Sequence, residues 1–116
     1  MREFIDVHGA SGAVYRFNLL REGHPLSPMG GNFLYVREKT GGYDIVHVGE
    51  SQSLLADARG QWDQAVKTHG VTHLFSRLNV SERMRKLEHE DISKGLSLGT
   101  EEPIPLHVHR AEPRSA

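Results

Sequence analysis

The chain has 116 residues, enough for one hydrophobic core but not for two. Hydrophobic residues make up 37% and charged residues 25%, a globular balance. The absence of cysteine excludes disulfides, thiolate zinc sites and cysteine nucleophiles, and the formal net charge of −1 gives no overall basic excess for phosphate binding.

The start of the chain, Phe4-Ile5-Asp6-Val7, has strand-like alternation and lacks the apolar region of a signal peptide. No apolar run approaches the ~20 residues of a membrane span, so a cytoplasmic address with no membrane partner is the expectation. A glycine turn, Gly9-Ala10-Ser11-Gly12, leads to a second strand at Val14-Tyr15-Arg16-Phe17. No helix and lysine follow it, so it reads as a turn and not a phosphate loop. After a loop rich in proline and glycine, Asn32-Phe33-Leu34-Tyr35-Val36 and Tyr43-Asp44-Ile45-Val46-His47-Val48-Gly49 form a second hairpin about Gly41-Gly42. Residues 51–69 carry helical spacing, with Leu54, Leu55, Ala58, Trp62, Ala65 and Val66 on one arc and Gly70 as the stop. Trp62 on that arc reads as core. A short strand, Thr72 to Leu78, precedes a second helix capped by Asn79 or Ser81, running to about Lys94 and punctuated by Gly95. The tail holds Pro103, Pro105 and Pro113, and 104–108 reads as a short extended piece. His107 and His109 would share one side of it, but with no third ligand a metal pair is not supported. His69 and His73 are separated by Gly70 and do not share a helical face. The sum is an α+β domain, a mainly antiparallel sheet of hairpins with two main helices packed on it. Its expected divisions are an N-terminal hairpin extension at 1–22, a core at 23–103 and a tail at 104–116.

The second helix carries an anomaly. Met84, Leu87 and Ile92 define an apolar side, yet Glu88 and Asp91 fall inside it. Carboxylates facing a core are paired, hydrogen-bonded or bound to a metal. Two readings follow for Glu88: an ion pair with an arginine such as Arg77 or Arg59, or a carboxylate at the floor of a cleft holding a cation or a water. The cluster Arg77, Arg83, Arg85 and Lys86 reads first as a solvated helix face.

In order and spacing these elements resemble the GIY-YIG nuclease superfamily over about 30–103. Gly31-Asn32-Phe33 lies where the first name motif would be, and His47-Val48-Gly49 where the second would be. Glu50-Ser51-Gln52-Ser53-Leu54 is similar to the opening of the family's first helix, and Glu88-His89-Glu90-Asp91-Ile92 to the helix that presents its metal-binding glutamate. The substitutions are equally specific. Phe33 lacks the first tyrosine's hydroxyl, His47 replaces the second tyrosine, and Asp57 stands where the family's arginine is expected.

The resemblance implies a domain acting on or binding nucleic acid. A reduced phosphodiester-cleaving set would use Glu88 to hold Mg²⁺ or Mn²⁺ and His47 as base, with Arg59 or Arg77 against the phosphate. Tyr35, on the same strand face as Phe33, would supply the lost hydroxyl. The competing expectation is a scaffold without chemistry that binds nucleic acid, a protein partner or a second copy of itself. A small-molecule enzyme using Glu88, Asp91 and His47 is the third. A basic cleft would favour nucleic acid and an exposed apolar patch a protein partner.

Overall fold

The computed structural model describes residues 3–97 and 109–110. Strands β1 (Phe4–His8) and β2 (Val14–Leu19) form the first hairpin, burying Ile5, Val7 and Phe17 on one face. Strands β3 (Gly31–Lys39) and β4 (Gly42–Ser51) form the second, turning at Gly41 with φ of 84°, a conformation that suits glycine. Helices α1 (Leu54–Asp57) and α2 (Trp62–His69) follow, then β5 (His73–Leu78), α3 (Glu82–Ser97) and the two-residue β6 (His109–Arg110). Every strand pairing is antiparallel, in the order β1-β2-β5-β3-β4-β6. The fold is α+β, as the alternation implied. The first hairpin joins the rest through Asn18–Ser76 and Leu19–Phe75, so the segment expected as an extension continues one sheet.

The strand alternation sends β3 side chains to two cores. Phe33 and Tyr35 pack with Leu54, Ala58, Ala65 and Leu74 on the α1–α2 face. Leu34 and Val36 pack with Ile5, Phe17, Phe75 and Ile92 on the α3 face. A bulge keeps β4 in step with this division. Tyr35 pairs with His47 but Val36 with Ile45, leaving Val46 as the extra residue. Val46 and His47 both lie on the Tyr35 side, while Ile45 and Val48 stay on the other.

Three expectations about helices need correction. The 51–69 helix is two helices, α1 capped by the Ser53 side chain and α2 ended by Gly70 at φ 65°. Its arc is also partly wet, with Leu55 59% and Val66 43% exposed. The second helix runs through Gly95 to Ser97, because that glycine is a packing position: a Cβ there would stand 2.9 Å from His8 O and Ala10 N. Its start is capped by Ser81, whose Oγ accepts from Met84 N at 3.2 Å. The 104–108 piece and His107 lie outside the described residues. Among those described, no helix is long and apolar enough to cross a membrane.

Candidate functional site

The expected site residues fall on both sides of the sheet. On the α1–α2 face, the bulge places His47 opposite Tyr35, with ring centroids 5.2 Å apart. Phe33 lies 5.8 Å from each ring, and Trp62 meets Tyr35 edge-on at 5.2 Å. Gly49 stands opposite Phe33, and a Cβ on it would come within 2.1 Å of the Phe33 ring. Gly49 thus makes room for Phe33.

The Tyr35 hydroxyl is committed. It donates to Ala58 O at 2.7 Å and accepts from Gln61 N at 3.2 Å, serving two backbone groups where the helical run breaks between α1 and α2. Burial pushes its pKa above the usual phenol range, against the opposing pull of the Gln61 N–H and Arg59. It does not supply a free hydroxyl. Arg59 is exposed at the same α1–α2 turn. Asp57, where the resemblance leads one to expect an arginine, accepts from the Ser51 hydroxyl at 2.5 Å.

Glu88 lies across the sheet from this aromatic row. It is 7% exposed and receives Arg77 through Nε at 2.9 Å and Nη2 at 3.4 Å. Of the two partners expected for it, Arg77 is the one in place. The inward side of α3 is Arg85, Glu88 and Ile92; Met84 and Leu87, expected there, are 45% and 48% exposed. Arg85, expected on a solvated helix face, is only 4% exposed. It donates to Glu50 at 2.8 Å and to the carbonyls of Val80 and Asn79 at 2.9 and 3.2 Å. The fully buried Asn32 bonds the Arg85 carbonyl at 3.1 Å. The signal was present in the spacing: Arg85, Glu88 and Ile92 stand at i, i+3 and i+7.

Asp91 closes the far end of α3 against the first hairpin. Its carboxylate accepts from Ser11 N at 2.8 Å, Ser11 Oγ at 2.7 Å and Tyr15 Oη at 2.8 Å. The turn read as no phosphate loop does cradle an anion, this internal carboxylate. A Cβ on Gly9 would meet Asp91 Oδ2 at 2.0 Å. Asp91 is therefore a clamp between helix and turn rather than a partner of His47 in acid–base work.

A shallow cleft of about 410 Å³ wraps the edge of β4, lined by Phe33, His47, Gly49 and Glu50 together with Lys86 and His89 of α3. His89 Nε2 stands 3.0 Å from Val48 O, and because a carbonyl only accepts, the proton sits on Nε2. Two charges at this cleft are already balanced, Glu50 by Arg85 and Lys86 by Glu82 at 3.1 Å.

Mg²⁺ or Mn²⁺ does not fit this arrangement. A hard cation needs several oxygen ligands, and the Glu88 oxygens are engaged by a guanidinium. Among the described residues no group of three or more His, Asp and Glu is placed to hold a metal ion.

No family model, curated protein or solved structure matches the chain.

Proposed function

We propose that this chain is a non-hydrolytic binding domain and that its partner is a protein. The division of the expected catalytic set by the sheet, with Glu88 on Arg77 and the Tyr35 hydroxyl on backbone, removes the support for phosphodiester cleavage. What favours a protein partner is the apolar series at the junction of β5 and α3. Val80, Met84 and Leu87 are 62%, 45% and 48% exposed. Met84 and Leu87 are neighbours one turn apart on the helix surface. A run of large apolar side chains left in water marks an interaction surface.

Charge argues in the same direction. Arg16, Arg21, Arg37, Arg77 and Arg85 each pair with a carboxylate, which leaves little basic surface for a phosphate backbone. Arg83, exposed within the apolar series, has no ion pair among the described residues. The partner surface is accordingly apolar with a carboxylate at its margin.

A photo-crosslinking side chain at position 87 tests this in cells, with position 67 on α2 as the control. The expected result is a discrete protein adduct at 87 that is absent at 67 and weakened by Arg83→Glu. Equal labelling at both positions would overturn the reading. So would Mg²⁺- or Mn²⁺-dependent DNA cleavage by the purified protein that disappears in Glu88→Ala.

A further inference from the structure

On the α1–α2 side of the sheet, away from α3, the β2–β5 ladder ends near Leu19–Phe75, and Leu20 N makes a backbone bond to Leu74 O at 2.9 Å. The chain then turns away, opening a depression of about 460 Å³ against the α1–α2 turn. That volume lies within the range of small-molecule sites. Its apolar part is Leu20, Leu74 and Trp62, continuous with the core that contains Tyr35. Its polar part includes Arg59, His73 and Glu22.

We infer that this depression binds a flat, apolar monocarboxylate, with the ring against Trp62 and the carboxylate on Arg59. Trp62 is half-buried, and its ring is steadied by the perpendicular contact with Tyr35 at 5.2 Å. A held aromatic at the wall of a depression offers a planar ligand contact area at small entropic cost. Arg21 also lines the depression, but its guanidinium is taken by Glu3. Arg59 has no ion-pair partner among the described residues, so it is the guanidinium left to receive an anion. Its planar fork matches a carboxylate through two parallel hydrogen bonds. Glu22 limits the charge that can enter. It is exposed in the same depression, and its carboxylate repels a dianion more than a monoanion. A phosphate monoester is therefore disfavoured relative to a carboxylate of the same ring size.

The chain's single tryptophan is the reporter. The Trp62 indole N–H resonance is followed by NMR during titration with phenylacetate, phenylacetamide, acetate and phenyl phosphate. Phenylacetate is expected to shift it saturably, with the other three at least about tenfold weaker because each lacks the charge, the ring or the single negative charge. Arg59→Ala should weaken phenylacetate about tenfold, and Arg59→Lys less, since a point charge lacks the fork. Glu22→Gln should narrow the gap between phenylacetate and phenyl phosphate. Absence of a saturable shift, equal binding of phenylacetamide, or an Arg59→Ala protein of unchanged affinity would each overturn the proposal. Met84→Asp should leave the titration unaltered, which separates this site from the protein-binding surface.

Discussion

On the α1–α2 side of the sheet, Phe33, Tyr35, His47 and Trp62 pack ring against ring, whereas α3 meets the other side through Arg85, Glu88 and Asp91 as well as Ile92. The first side is closed by shape. The second is closed by shape, by ion pairs with β4 and β5, and by a carboxylate held by neutral donors of the first hairpin. A charged contact is satisfied by few geometries, so the α3 side specifies where the helix sits as well as how strongly. The expectation is that deletions on the α3 side act through the charges they strand, and those on the aromatic side through volume.

The largest effect belongs to Arg85→Ala. The change leaves Glu50 without its buried partner and removes the donor to the Asn79 and Val80 carbonyls. Breaking a buried pair by deleting one member should lower stability by about 4 kcal/mol in urea denaturation. Arg85→Met, which keeps much of the volume, should recover little unless Glu50 is also made apolar. If Arg85→Met is as stable as wild type, the α3 side is held by volume as well, and the contrast between the faces fails.

On the aromatic side the matching test is Gly49→Ala. The added methyl would stand 2.1 to 2.5 Å from Phe33 ring atoms, and that ring is only 6% exposed. The cost should be about 3 kcal/mol by overpacking, and Phe33→Leu in the same chain should return part of it. Tyr35→Phe should cost somewhat less, about 2 kcal/mol, because it strands the Ala58 carbonyl and the Gln61 N–H without changing volume. Trp62 fluorescence reports that change directly, since the indole touches the Tyr35 ring.

These contrasts mark where the sequence was legible. Both hairpins were, because alternating burial and turn glycines are local signals, and the anomaly at Glu88 was, because a carboxylate among apolar helix positions is visible without coordinates. The break between α1 and α2 was not. It is completed by the hydroxyl of Tyr35, a strand residue more than twenty positions away, which takes up the freed backbone groups. The inward side of α3 departs from the apolar side that spacing predicts, since Met84 and Leu87 are half-exposed while Arg85 and Glu88 are buried. Periodicity identifies sides of a helix but not which one meets the sheet once charges can be buried in pairs. The same gap joined His47 to Glu88 in one expected site, since chain order does not say on which face a later helix will pack.

Acid should separate the two sides with the smallest overall loss of stability. Asp91 is held below the ordinary carboxylate range, first by the Ser11 hydroxyl and then by the Tyr15 hydroxyl, which outweigh the opposing desolvation, while the Ser11 N–H and Lys94 add smaller pulls. A carboxylate whose folded pKa is depressed contributes stability above its unfolded value of roughly pH 4, and that contribution fades as the pH falls through the lower folded value. The Ser11 amide resonance should therefore titrate with a midpoint below roughly pH 4 while the clamp opens. Asp91→Asn should abolish the transition. The Trp62 indole resonance should stay in place through it, because Trp62 packs edge-on against Tyr35, whose hydroxyl is bonded to the backbone of Ala58 and Gln61 and not to a carboxylate. A Ser11 midpoint at or above the ordinary carboxylate value would show that the turn does not grip Asp91 in solution. Movement of Trp62 in step with Ser11 would show instead that the two faces unfold as one unit, and that their different chemistry does not give them separate stability.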